Sequence, residues 1–446
     1  MHPLDLRKPN LSRLAKFRPL VVSAALYAAI ILGTLIAADL VCMVFGFFPP
    51  TYNYGDPDVG WAPAHPTGSA YFDRCRDLAT GASVSVRRNE AGIRTDLSVA
   101  QLQADDVGYK IAVTGDSQTD LCAPNAETHP GILQHELNLQ GFKAAVLVYG
   151  AGRYSPLQDY LVYKTRLKEY APAAFVLNLY TGNDFNDMLR VDDRPHFVPD
   201  GAGYRIAPPV WYRYDDPHTH RHSRVLWAIS QVSRRIGLQN LVQRVLFLRR
   251  SAAGQGDGLW AVLTYMNDLR KSIEPSVGYS AAYSAQILNQ QLFFHHFPKG
   301  RAESLRRMRA LMELIRAENP HTLLVMAPLP SYELVSNKSV DSRLLETLRR
   351  LPITLESGIE EEQGLYEALR DLCSELDWVF VDNLAPLREY HGPEKLYNDF
   401  DYHLTPAGSR IVGTTEAAAL LTYLRTQGRP APSRRPAAAR PTRDGG

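Results

Sequence analysis

Five short apolar runs alternating with stretches of helical character constrain this 446-residue chain more than any other feature. Residues 110–114 (KIAVT), 144–149 (AAVLVY), 174–180 (AFVLNLY), 321–329 (HTLLVMAPL) and the WVFVDN run at 378–383 read as strands. Helices are expected over 128–140, 157–169, 300–318 and 361–376, with a last one beginning near Pro406. Strands that are apolar along their whole length, each followed by a helix, imply a parallel sheet covered on both faces. In such sheets, binding and chemistry gather at the carboxyl ends of the strands.

The N-terminal segment adds a second constraint. From Pro19 to Ala38 the chain carries no charge, and it stays largely apolar to residue 48, apart from Asp39. A run of about 20 apolar residues is long enough to cross a bilayer as a helix. Arg7, Lys8, Arg13, Lys16 and Arg18 precede it, and the next basic residue is Arg74. The positive-inside rule then leaves residues 1–18 in the cytoplasm and exports the chain beyond the 19–48 segment. The expected location is the inner (cytoplasmic) membrane, crossed once, with the main domain periplasmic. A cleaved signal peptide competes with this reading, but its apolar core is usually about 7–15 residues, and no clear small-x-small site comes after this run. Asp39 is expected at the membrane interface or against a partner.

The formal charge is +2, which gives no support to nucleic acid as a partner. The four cysteines match no zinc spacing; Cys42 falls in the apolar segment. At most one bridge is expected among Cys75, Cys122 and Cys373, and Cys75 with Cys122 is one candidate pairing.

Residues 49–85 begin with a Pro-, Gly- and aromatic-rich stretch and read as a linker and N-terminal extension. The main domain is expected over 86–425, interrupted at 186–299 by an insertion too long for a βα connection. Within it, residues 223–250 repeat apolar positions at helical spacing and include Arg234, Arg235, Arg244, Arg249 and Arg250. Packing on the main domain is the plain reading of that helix; a membrane-surface or partner-binding helix is the sharper one. Asp215, Asp216, His218, His220 and His222 invite a metal assignment, but alternating histidines in a polar, proline-containing loop read as solvated, and no metal or cofactor is expected. His295 and His296 read as structural or rim residues. The Pro/Ala/Arg-rich tail at 426–446 is expected to be disordered.

Candidate chemistry lies at the predicted strand ends. Gly115, Asp116 and Ser117 follow the first strand, where Ser117 is either a nucleophile or a helix cap. Gly150, Gly152 and Arg153 follow the second, Gly182, Asn183 and Asp184 the third. His403 stands two residues after Asp401 and just before Thr405 and Pro406, a favourable N-cap and N1 pair. A serine nucleophile needs a base, a group orienting that base, and donors for the developing oxyanion. Ser117, His403 and Asp401 fill the roles of nucleophile, base and orienting acid. The Ser117 N–H, a backbone N–H at Gly152 or Arg153 and the Asn183 amide supply the donors, with Asp116 bracing the turn.

These blocks resemble the SGNH/GDSL hydrolase superfamily. Gly115-Asp116-Ser117, Gly182-Asn183-Asp184 and Asp401-x-His403 with LTPAG behind it match its separated blocks. Asn89-x-x-Gly92-x-Arg94 resembles an element preceding the catalytic strand in membrane-anchored bacterial members. The resemblance implies a three-layer, flavodoxin-like α/β fold and a serine esterase or O-acyltransferase acting on acyl, often acetyl, esters of cell-envelope carbohydrate. A transferase would need its acyl donor from a separate polytopic protein. Two departures stand out. Phe400 occupies the usual triad-acid position three before His403, which leaves Asp401 first and Asp399 in reserve. Arg153 stands where an oxyanion glycine is usual and could instead contact an anionic substrate group. The alternative from another class is a non-catalytic polysaccharide-binding or assembly component of the same fold.

Overall fold

The computed structural model describes residues 54–63, 71–76, 83–104, 107–190, 194–201, 203–209, 298–336, 355–398 and 402–426, with scattered helical positions between 23 and 37. Two compact units are distinguished: residues 1–51 with 215–255, and residues 52–214 with 256–446. The second holds every element below.

The central sheet is wholly parallel. Strands β5 (Tyr109–Gly115), β6 (Ala144–Gly150), β7 (Ala174–Tyr180), β10 (Leu323–Leu329) and β11 (Val379–Phe380) lie in the order β11-β10-β7-β5-β6. The chain starts at β5, steps to one side for β6, then crosses to the other for β7, which is the flavodoxin-like order with its switch point between β5 and β7. β6, β7 and β10 are buried along their full length. Alternate side chains feed two layers, as a strand requires. Ala112, Leu147, Phe175, Leu177 and Met326 face α5 (Pro298–Glu318) and α7 (Leu355–Glu375) through Leu311, Ile315, Leu365 and Leu369. Ile111, Val113, Val146, Val176 and Val325 face α2 (His129–Leu139) and α9 (Pro406–Thr426) through Leu133, Leu137 and Leu420.

β6 is an edge strand, and three of its outer donors are engaged. The N–H groups of Ala144 and Val146 donate to the side chains of Asn138 (2.6 Å) and Gln134 (2.8 Å), and that of Val148 to the Arg94 carbonyl (3.4 Å). Covered edges of this kind resist pairing with other chains.

Part of the segment assigned to a linker is ordered. β1 (Tyr54–Asp56) and β2 (Gly60–Ala62) form an antiparallel hairpin in which Trp61 is fully buried. The Val59 carbonyl accepts from Gln158 Nε2 (2.6 Å) and the Trp61 carbonyl from the Tyr154 hydroxyl (2.6 Å). A second hairpin, β3 (Tyr71–Arg76) with β4 (Ser83–Arg88), carries Cys75, which is bonded to Cys122 (Cα–Cα 5.8 Å). The candidate bridge thus forms, and Cys373 is left buried as a thiol.

The insertion expected to be mainly helical opens with β8 (His196–Asp200) and β9 (Gly203–Ala207), an antiparallel hairpin. The Tyr204 hydroxyl donates to Glu303 (3.1 Å), and Arg307 Nη1 to the Met188 carbonyl (3.0 Å). Residues 210–297, with the amphipathic run and the Asp215–His222 stretch, lie outside the described residues, as does the tail from 427. So does most of the predicted membrane span. Among the described residues no helix is long and apolar enough to cross a membrane, and no His, Cys, Asp or Glu cluster could hold a metal ion.

Candidate functional site

Four of the residues singled out sit at the same end of the sheet. Ser117 follows β5 and is half-buried; Gly152 follows β6; Asn183 follows β7; His403 precedes α9. The register aligns the last residues of β5 and β6, Gly115 with Gly150. At Gly150 the two backbones approach so closely that a Cβ would stand 2.5 Å from the Gly115 carbonyl oxygen. Gly152 faces Ser117: a Cβ built there would lie 3.8 Å from the serine Cβ. The loop after β6 is therefore close enough to aim a backbone donor at a group bound over Ser117.

That loop is an Ala151–Tyr154 turn, closed by the Tyr154 N–H donating to the Ala151 carbonyl (3.1 Å). Its third residue, Arg153, has φ +70° and an exposed side chain. Left-handed backbone at that position of a turn is glycine's usual place, and here it holds arginine.

Asp116 braces the turn that carries Ser117. Its Oδ1 accepts from the Gln118 N–H (2.8 Å), while its carbonyl accepts from the N–H groups of Thr119 (3.1 Å) and Asp120 (3.0 Å). Burial raises the Asp116 carboxyl to about 6; bonds from Gln118 and Ser117 and the His403 charge oppose the rise, and Asp187 adds to it. Asp116 thus lies within the electrostatic reach of His403 as well as bracing the turn.

Sequence reasoning missed the side chains that hold the candidates in place. Asn183 Nδ2 donates to Asp187 Oδ2 (2.9 Å), and Asp187 in turn pairs with buried Arg194 (2.7 Å). The i, i+4 spacing of Asn183 and Asp187 was the available signal. Asp184, given a supporting role, accepts from the Tyr180 N–H (2.8 Å) and closes the end of β7. Burial pushes its carboxyl well up, and the nearby Asp116, Asp159 and Asp187 push it further. Asp159, fully buried below the β6 loop, is raised by burial and by Asp116. Glu362 joins the ends of β7 and β10, accepting from the Thr181 hydroxyl, the Ser331 N–H (3.1 Å) and the Ser331 hydroxyl (2.6 Å).

Gln118 holds the loop that carries His403. Its Nε2 donates to the Tyr402 carbonyl (3.0 Å) and its Oε1 accepts from the Leu404 N–H (3.0 Å), so it grips the backbone on both sides of His403. Thr405 caps α9 as expected, its hydroxyl accepting from the Gly408 N–H (3.2 Å). Asp401 and its reserve Asp399 lie outside the described residues.

The Asn89-x-x-Gly92-x-Arg94 element supports the other flank. Asn89 Oδ1 accepts from the N–H groups of Ala91 (3.0 Å) and Ile93 (3.1 Å). Arg94 then donates to the carbonyls of Leu121 (2.7 Å) and Ala123 (2.6 Å) and to Asn125 Oδ1 (2.9 Å), while Arg88 pairs with Asp120 (2.7 Å). These bonds, together with the Cys75–Cys122 bridge, tie down the chain leaving Ser117.

No protein-family model matches the chain, and no curated protein matches its sequence. Among solved structures, an acetylxylan esterase variant from Geobacillus stearothermophilus is 9% identical over 70% of this chain and 94% of its own, with a TM-score of 0.34. A protein of Slackia heliotrinireducens assigned as an SGNH hydrolase is 13% identical over 70% and 99%, with a TM-score of 0.31. The chain is also similar to a lipase/acylhydrolase from Enterococcus faecalis, 9% identical over 71% and 96%, with a TM-score of 0.29.

Proposed function

We propose that this protein is a serine esterase or O-acyltransferase acting through Ser117. The observation that carries the reading is the convergence of Ser117, the Gly152–Arg153 loop, Asn183 and His403 at one end of a parallel sheet, beside its switch point. Ser117 Oγ attacks an ester carbonyl carbon while His403 takes the hydroxyl proton, and Asp401 orients the imidazole. The Ser117 N–H, a Gly152 or Arg153 N–H and the Asn183 amide hold the oxyanion. Collapse of that intermediate expels the alcohol, which takes the proton from His403 and leaves an acyl-serine. Water or an acceptor hydroxyl then releases the acyl group by the same steps in reverse.

The substrate class proposed is an acyl, often acetyl, ester of envelope carbohydrate, on the motif resemblance. A single-pass anchor at 19–48 with an exported catalytic domain is the matching location. Exposed Leu26, Tyr27, Ile30 and Ile31 on one helical stretch support the anchor. The Cys75–Cys122 bridge suits an oxidising compartment.

The test uses the detergent-solubilised full chain, a fluorophosphonate probe and 4-nitrophenyl acetate. Wild type should label and turn over, and Ser117→Ala should do neither. A well-folded wild type that does neither would favour the non-catalytic binding or assembly role.

A further inference from the structure

We infer that Gln118 is a positioning residue that sets the distance and direction of His403 relative to Ser117. The inference rests on the esterase reading above.

Asp116 accepts from the Gln118 N–H and so fixes the Gln118 Cα one residue beyond the nucleophile. From there the side chain is 3% exposed and both ends of its amide are used. A glutamine amide offers a donor and an acceptor about two ångströms apart, which suits a peptide carbonyl and N–H that straddle one residue. That residue is His403.

The gripped segment needs holding. Tyr402 has φ +52°, a conformation that crowds the Cβ of a non-glycine residue against its own carbonyl. Tyr402 N–H donates to the Asn398 carbonyl (3.0 Å), and Asn398 N–H to the His403 carbonyl (2.9 Å), so these bonds run within the loop itself. Tyr332 stacks on the Tyr402 ring at 5.1 Å and ties the loop to the end of β10. Gln118 joins it directly to the turn that carries Ser117. The nucleophile and its base come from positions 286 residues apart in the chain, and one side chain adjoining the former fixes the latter. A displacement of about 1 Å between reacting groups can cost on the order of 10²-fold in rate.

Gln118→Met keeps the length and apolar stem but can neither donate nor accept as the amide does. It should lower kcat for 4-nitrophenyl acetate about 10²-fold with KM little changed. It should also slow fluorophosphonate labelling and speed amide hydrogen exchange at Leu404. Gln118→Glu supplies the readout that mere folding would not move. Protonated, a glutamic acid can donate to the Tyr402 carbonyl while accepting from Leu404; ionised, it can only accept. Its activity relative to wild type should therefore climb as pH falls through the acid range. Wild-type kcat in Gln118→Met overturns the inference, as does a Gln118→Glu ratio that is flat with pH. Unchanged exchange at Leu404 overturns the clamp whatever the kinetics show. A wild type that neither labels nor turns over sinks the esterase reading and takes the positioning role with it, an outcome distinct from the other three.

Discussion

Arginine at position 153 makes a prediction that runs against the usual effect of glycine substitution. In a helix or strand, Gly in place of Ala destabilises by roughly 0.5–1 kcal/mol because the unfolded chain gains freedom. At φ +70° the order reverses. Any residue with a Cβ there carries about 1–2 kcal/mol of left-handed strain, which glycine removes. Its greater unfolded freedom offsets roughly 0.4–1 kcal/mol of that gain. The Arg153 side chain is exposed, so truncation forfeits little packing. Arg153→Gly should therefore be more stable than Arg153→Ala by about 0.5–1 kcal/mol, or roughly 1 °C in midpoint for a domain this large. Thermal and urea unfolding of the two full-length variants, side by side in one detergent, measure the difference. The same pair tests the donor. A backbone N–H needs no side chain, so hydrolysis of a neutral ester should survive both substitutions, whereas an ester carrying an anion bound by the guanidinium would show a raised KM in both. An alanine variant as stable as the glycine variant, or more so, would refute the reasoning.

Three further outcomes are expected of the site and its supports. Glu333 is fully buried in α6 (Tyr332–Ser336), and burial, helped by Glu362, raises its carboxyl to about 8. Because the folded state holds the proton more tightly than the unfolded chain, the stability this group gives is complete below about pH 4.5 and is lost as pH rises through 8. Glu333→Gln should accordingly match wild type near pH 4.5 and exceed it by a few kcal/mol above pH 8; a difference that does not vary with pH would remove the basis for this. Reducing Cys75–Cys122, or replacing both by serine, opens a cross-link of sequence separation 47. The chain-entropy relation puts the loss at about 4 kcal/mol, visible as an earlier urea midpoint and faster amide exchange over 119–125. Asn183→Ala should reduce turnover on the order of 10²–10³-fold while leaving the Ser117 adduct with fluorophosphonate detectable; loss of that labelling together with the fold would instead assign Asn183 to structure.

The sheet was legible because its strands are apolar on both faces and short. The strand read at 174–180 has those same limits, and the one read at 110–114 extends by a residue at each end. The WVFVDN run shrinks to Val379–Phe380, although the Val381 N–H still donates to the Met326 carbonyl (2.9 Å). The 54–62 hairpin was not legible. Its Pro, Gly and aromatic residues describe a linker locally, and what holds it is Tyr154 and Arg194 against Trp61 and Gln158 on the Val59 carbonyl, all far along the chain. The same limit applied at the site. Ser117, Gly152, Asn183 and His403 stood out because each ends a strand or opens a helix. Gln118 could not, since its role exists only against Tyr402 and Leu404.

The supporting residues share a pattern that bears on why the site is built where it is. Each candidate is held by a buried polar group, with the Tyr332–Tyr402 stack added at the His403 loop: Ser117 through Asp116, Asn183 through Asp187 and Arg194, the β7 and β10 ends through Glu362, and His403 through Gln118. Apolar residues of the right volume would give comparable stability, since buried ionisable groups lose their hydration and often return no net gain. They would not fix direction, because dispersion contacts do not discriminate between rotations of an amide or an imidazole, whereas hydrogen bonds do. The raised carboxyls of Asp116, Asp159, Asp184 and Glu333 show what this arrangement sacrifices, four acids kept from water by burial around one end of the sheet. Among the described residues, two of the five non-glycine positions with left-handed backbone, Arg153 and Tyr402, lie there as well, while Lys143, Ala171 and Asp377 precede strands at the other end. Arg153 and Tyr402 flank groups proposed for the reaction, one beside Gly152 and one beside His403. A rim that accepted buried acids and backbone strain without using the direction they impose would gain from replacing them. The buried acids and hydrogen-bonded side chains at the strand ends therefore support the proposed chemistry at this rim.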